Sequence, residues 1–590
     1  MKPLQRIILS GLLILPVITS QSLAQPDTQA PAQDWVKESD EHTQAVIKAQ
    51  SRFDPEAASG LGLDEFDAMI MDIGPRLFER STTVDRELVE LTRQRLRTAE
   101  HPKVIQDLQI LHQALEDDIR SAELNHQYML PYYNLSQSLF FGFRSLLDPR
   151  TDQERYPAAL SRLKKYTGSA DGFEPITELA KQRSTERFSQ TGLLGPYKGE
   201  MERDLNNVPR FAGGLRDLFT ASGLEGWEQD LDLLEQQLTE YAQWLRTEML
   251  PRARADHRLP PEVYADNLKN FGVRETPEEL IRAAQFGFQE IKAEMRSLAR
   301  QIAEQKGWGN GELMHVMKEL KKAQIPQDQI LDVYMQRLAA IEDIIREQEI
   351  VTLPDRAASI RLATEAESAS IPAPFMSPPQ LIGNTGQYGE FVLVQKNPAM
   401  EEGGQMDDWS HYSVTWALTV HEARPGHEMQ FASLVENGTS LTRMTYAFNS
   451  ANVEGWGLYS EAIMKEHLPL DGQLFTLLAR LQRAARMFMD PMVNLGLMTP
   501  EEAVSFMMEQ IGLSEAMARS EADRYAFLAP GQATSYYYGY RNLQRLRTEV
   551  EMALGDRFNQ RKYHDFILLQ GLLPPDLLRK AVLEEFVGAH

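Results

Sequence analysis

Trp416-Ala417-Leu418-Thr419-Val420-His421-Glu422-Ala423-Arg424-Pro425-Gly426-His427 runs from apolar residues straight into ionisable ones. The residues before His421 read as a buried helix, and a charged Glu beside a His in such a place is costly unless something compensates it. A metal ion compensates both. Two histidines that share an ion on one helix usually stand four residues apart, about 40° round the axis. Here they are six apart, about 240° round an unbroken helix, and cannot meet at one ion. Pro425 has no N–H to bond the carbonyl of His421, and Gly426 permits backbone angles that other residues avoid. The spacing therefore predicts a helix that breaks or bulges within Arg424-Pro425-Gly426, so that His421 and His427 face one another.

Working outward, a third donor is needed, and Glu454 fits. It stands in Val453-Glu454-Gly455-Trp456-Gly457-Leu458-Tyr459-Ser460-Glu461, far enough on for the chain to turn and lay a second helix against the first. Two His and one Glu with an open fourth position form a catalytic zinc arrangement. The chain has no cysteine, so disulfides, thiolate nucleophiles and cysteine metal sites are excluded, and any ion must be held by His, Asp and Glu. Glu422, directly after the first donor, is placed to act as general base. The plainer alternative is two unrelated core histidines and a surface glutamate.

The surrounding chain reads as mainly helical. Thr276-Pro277-Glu278-Glu279 and Thr499-Pro500-Glu501-Glu502 each combine an N-cap, a proline at the first helical position and Glu three residues after the cap. Ile281, Ala284, Phe288, Ile291, Met295, Leu298 and Ile302 then form one apolar stripe. Ile371 to Gln380 is proline-rich and breaks the pattern, and Phe391-Val392-Leu393-Val394 after it reads as a strand. That strand is either plain core or an edge for an extended peptide. The fold class expected is mainly α: a large multi-helical body with a small β element before the metal-binding helix.

At the N-terminus, Lys2 and Arg6, an apolar run from Ile7 to Ser20, and Ser22-Leu23-Ala24 have the layout of a secretory signal peptide over 1–24. The run is short for a membrane span. With no cysteine after it, lipid anchoring is not expected. Residues 25–39 are expected to be a flexible leader, and 40–585 a single helical domain with halves meeting near 370. The net charge of −24 disfavours nucleic acid and anionic lipid as partners.

Three motifs occur in order: His421-Glu422-x-x-Pro425-Gly426-His427, Glu454-Gly455-Trp456-x-x-Tyr459-x-Glu461 and Pro530-Gly531-Gln532-Ala533-x-Ser535-Tyr536-x-x-Gly539. Together they resemble the bacterial family DUF885, itself similar to the Glu-ligand zinc peptidases, the gluzincins, over about residues 40 to 585. The resemblance implies a peptidase-like fold and a zinc site on His421, His427 and Glu454. It also singles out Tyr536, either as a donor to the developing oxyanion or as packing. Arg486 either grips a substrate carboxylate or pairs with Asp490 four residues on. Glu461 is placed to orient a ligand histidine, and His411 reads as structural. Glu428 and Asn494 depart from the family pattern, each standing where a histidine is expected.

The function expected is that of an exported zinc hydrolase, periplasmic or secreted. It is expected to cleave amide bonds of oligopeptides and to have no membrane partner once the signal is removed. The alternatives are hydrolysis of non-peptide esters or amides, or a non-catalytic binding protein on the same scaffold.

Overall fold

The computed structural model describes residues 34–364, 367–368, 373–384, 386–394 and 408–589. The signal-peptide segment and residues 25–33 of the leader lie outside them. Helix begins at Asp34, inside the stretch expected to be leader, with Asp34 itself as the acidic residue of the first turn. The architecture is mainly α, with one three-stranded sheet.

Two compact units form. One takes the chain up to Val263 together with Gln380–Gln387 and Ser440–Tyr446; the other takes Tyr264–Pro379, Tyr388–Thr439 and Ala447 onward. The two units part at Val263, because the helices after it pack against elements much later in the chain.

In the first unit the helices Asp34–Gln50, Leu77–Leu96 and Pro102–Tyr128 lie side by side. The late segment Ser440–Tyr446 is tied in by buried polar contacts. Asp107 accepts from Ser39 at 2.7 Å and from Arg443 Nε at 2.9 Å, and the Tyr446 hydroxyl donates to Gln50 at 2.8 Å.

The second unit holds the candidate site. Its longest helix, α1 (Pro277–Lys306), starts at the expected capping box: Glu279 N–H donates to Thr276 Oγ1, and the Glu279 carboxylate accepts from Thr276 N–H at 2.9 Å. The expected stripe is its buried face, with Leu280 rather than Ile281 taking the first position. It covers α6 (Leu470–Asn494). Between them in sequence come α2 (Ile330–Glu347), α3 (Val414–Leu418), α4 (His427–Glu436) and α5 (Ser450–Met464); α7 (Glu515–Asp523) and α8 (Ser535–Leu554) follow.

The sheet runs β1 (Ser359–Leu362), β3 (Glu390–Leu393), β2 (Phe375–Ser377), with β1 parallel and β2 antiparallel to β3. The strand expected at 391–394 is thus the central one. Both its edges are paired over Glu390–Val392, so along that stretch it presents no edge to a peptide.

Helices α5 and α8 touch backbone to backbone. A Cβ on Gly539 would stand 1.9 Å from Ala451 O, and one on Gly455 would stand 2.7 Å from the Gly539 Cα. The glycines of two separate sequence motifs are one contact, and it sets the helix bearing Glu454 against the helix bearing Tyr536.

Candidate metal centre

After α3 the backbone widens into a π-type turn over Thr419–Ala423, Arg424 is extended (φ −124°, ψ 135°), and α4 begins at His427. The helix breaks where the proline and glycine required it to. A Cβ on Gly426 would lie 1.9 Å from His421 O and 2.3 Å from Val420 O, so this position admits only glycine. Across the break, Trp456 Nε1 and Ser460 Oγ from α5 donate to the Pro425 carbonyl at 2.9 and 3.3 Å. On its other flank Arg424 donates to Glu428 at 2.8 Å and to Glu342 of α2 at 2.7 Å. Glu428, standing where a histidine was expected, is fully buried as the anchor of this arginine.

The break folds His421 back onto His427, their ring centroids 4.7 Å apart and nearly perpendicular. Glu454 Oε2 lies 3.6 Å from His421 Nε2 and 3.4 Å from His427 Nε2. The three donor atoms all fall within 4.8 Å of one another, and all three side chains are buried. Two donors bound to one tetrahedral ion at about 2.1 Å lie roughly 3 to 4 Å apart, as both His–Glu separations do, so the group is spaced to hold a metal ion.

Glu461 completes the arrangement. Its Oε1 lies 2.7 Å from His421 Nδ1, which holds the ring with Nε2 facing Glu454. Gly457 leaves room for the ring, since a Cβ there would meet His421 Cε1 at 2.7 Å. Burial opposes charge on His421, but its hydrogen bonds to Glu454 and Glu461 prevail and push the imidazole up to about 9. Burial would likewise raise Glu454, yet the two imidazoles hold its carboxyl well below the ordinary range. Glu422, 8 % exposed, has its carboxyl raised by burial, with His421 and His427 pulling the other way.

Residues 55–582 match a family described as bacterial protein of unknown function (DUF885). The chain belongs to the DUF885 family. A candidate lipoprotein of unknown function from Shewanella oneidensis has the same fold. It superposes with TM-score 0.72 at 18% identity, over 94% of this chain and 100% of that one. A candidate lipoprotein from Colwellia psychrerythraea does so with TM-score 0.73 at 18% identity and the same coverage. A candidate oligoendopeptidase F from Bacillus anthracis reaches only TM-score 0.24 at 11% identity, over 86% of this chain and 96% of that one, too little to argue from. No curated protein matches.

Of the other residues singled out in the sequence, Arg486 and Asp490 are placed differently from expectation. Arg486 does not pair with Asp490. Its Nε and Nη2 close on Glu521 of α7 at 2.8 and 2.5 Å, and Tyr525 OH donates to the same carboxylate at 2.8 Å. The fork that was to grip a substrate carboxylate is already occupied.

Asp490 instead accepts from Tyr264 OH at 2.9 Å and from Gly531 N–H at 2.9 and 3.0 Å, clamping the loop before α8; burial pushes its carboxyl up to about 7. Asn494 donates to Asp490 and to Tyr525 O and belongs to that clamp. The His411 ring packs on Phe475 at 4.4 Å, accepts from Val414 N–H, and is driven neutral by burial, to about 3.

Tyr536 lies among three guanidinium groups. Arg524 Nη2 donates to its hydroxyl oxygen at 2.7 Å, while Arg486 and Arg483 stand 4.6 and 5.9 Å from its ring centroid. The phenol oxygen accepts from Arg524, so its own hydrogen is left to donate elsewhere. Burial raises its pKa first of all, with Arg524 pulling the other way and the charge of Glu454 adding to the rise. Arg524, Glu521 and Arg483 were not foreseen from the sequence. Only Arg483 carried a signal: it precedes Arg486 by one helical turn, in a row with Arg480 and Asp490.

Proposed function

We propose that this DUF885 protein is a metal-dependent hydrolase, of the zinc class, that cleaves amide bonds of oligopeptides. The observation that carries the reading is the meeting of His421, His427 and Glu454 across a helix break, with Glu422 beside the first of them. An ion held there by His421, His427 and Glu454 would polarise a carbonyl and acidify water.

Glu422 takes the proton from the attacking water as the new C–O bond forms, then delivers it to the leaving nitrogen as the C–N bond breaks. Tyr536 donates its O–H to the carbonyl oxygen as negative charge builds there, with Arg524 holding the phenol oxygen from behind. Glu461 keeps the His421 ring in register.

Export to the periplasm or the cell exterior accompanies this reading. It is supported by the basic, apolar, small-residue order of the first 24 residues and by the two solved relatives described as candidate lipoproteins.

The test is mass-spectrometric profiling of a mixed peptide library. Native protein is expected to create new peptide termini, and a chelator to abolish them. Glu422→Gln should retain the ion yet turn over at least about 100-fold more slowly, the usual scale for losing a general base. Cleavage by Glu422→Gln within a few-fold of native would refute the assignment.

A further inference from the structure

Behind His421 and Glu461, between α3 and α6, lies a cavity whose empty space, counting open solvent at its mouth, is about 450 Å³. Three nitrogen donors on its wall find no hydrogen-bond partner among the described residues: Trp409 Nε1, Gln482 Nε2 and Arg483 Nε. Gln482 is 2 % exposed and Arg483 7 %. The other contacts of Arg483 are long ones, to Ala479 O at 3.5 Å and Gln482 Oε1 at 3.3 Å. Of the three guanidinium groups around Tyr536, Arg486 is closed on Glu521 and Arg524 is held by Gln532 and the phenol, whereas Arg483 has no carboxylate within ion-pair distance among the described residues. A buried guanidinium left in this state is costly unless an anion meets it.

Two acids also line the wall. Asp408 is closed on Lys321 at 2.6 Å and on Ser514. Glu461 spends Oε1 on His421, and its Oε2 has no partner among the described residues. The cavity therefore calls for a ligand with an acceptor end of negative charge and one N–H donor. The rest of its wall, with Leu418, Phe475 and Leu478, is apolar.

We propose that this cavity is the subsite for the C-terminal residue of a peptide. The carboxylate is received by Arg483, Gln482 and Trp409, the N–H of that residue by Glu461 Oε2, and an apolar side chain by the leucines and Phe475. The proposal rests on the peptidase reading for its meaning but not for its test. His421 borders both the cavity and the three-donor group. Arg483 is then a specificity-determining residue, and peptides with a free carboxyl end are the substrate class.

The test is calorimetric binding of one apolar tripeptide, as free acid and as C-terminal amide, to metal-loaded Glu422→Gln protein. A parallel titration of native protein with propionate is followed by tryptophan fluorescence. The free acid should bind at least about tenfold more tightly than the amide, the scale of a charge-assisted hydrogen bond. Adding Arg483→Gln should erase that preference, and in otherwise native protein should abolish the propionate response. Trp409→Phe, a milder change, should weaken both in part.

Equal affinity for acid and amide overturns the proposal, as does a preference that survives Arg483→Gln. A propionate response without any peptide binding or cleavage would overturn the peptidase reading, and the peptide subsite with it, leaving a small-carboxylate site. Peptide cleavage without acid preference would overturn the subsite alone.

Discussion

Pro277 follows Thr276 at the first position of α1, whereas Pro425 closes the wide turn that carries His421. At Pro277 the ring stands where no helical hydrogen bond is lost, and the cap around it is exposed and satisfied by its own Glu279. At Pro425 the ring ends a helix, and every residue from Val420 to Leu434 is buried, Glu422, Arg424, His427 and Glu428 among them. The same residue type thus does two jobs, and burial of ionisable groups tells them apart. A cap satisfies a helix end and stops there. A break that sinks two imidazoles, a guanidinium and two carboxyl groups below the surface has a cost that only specific partners offset.

The sharpest way to break this contrast is Gly426→Ala. Its Cβ would collide with two backbone carbonyls, so the turn must open and His427 must leave His421. Metal affinity is expected to fall by more than about 100-fold, as when a ligand is lost outright, read by competition with a chromogenic chelator. Unchanged affinity would mean the break is not what brings the donors together.

Tyr536→Phe comes next. Loss of one oxyanion donor costs about 100-fold or more in kcat with little change in KM. If KM alone moved, Tyr536 would be a binding residue and Tyr537 or Tyr538 the donor.

Glu461→Gln keeps the shape but weakens the hold on His421 Nδ1, and metal dissociation should strengthen by about 10- to 100-fold. Full native affinity would show that the 2.7 Å contact is incidental.

At the exposed cap, Thr276→Ala should cost only about 1 kcal/mol in denaturant unfolding and leave metal affinity untouched. An effect on the metal would erase the distinction between the two prolines.

What was legible in the sequence follows the same division. The α1 cap, its apolar stripe and the break at Pro425 were readable because each is set by neighbours within a few residues, where helical geometry alone decides. The His421–His427–Glu454 meeting was readable because the donor set has few other uses. Arg486 was misread because its partner, Glu521, arrives from a helix 35 residues on, and no local spacing announces that pairing. The central place of β3 was likewise hidden, since its neighbours Ser359–Leu362 and Phe375–Ser377 are short and carry little alternation of their own. The glycines Gly455 and Gly539 stood in quoted motifs, but their shared role became visible only when the two helices met.

The central claim is that one ion is held by two imidazoles and one carboxylate. Its most direct test is metal content of protein stripped and reloaded with zinc, with X-ray absorption at the metal edge. One ion per chain is expected, with two nitrogen donors at about 2.0 to 2.1 Å and at least one oxygen at about 2.0 to 2.2 Å. Combining His427→Ala with Glu454→Gln should abolish it. Retention of a full equivalent by that double variant, or the absence of zinc binding by native protein, would contradict the account.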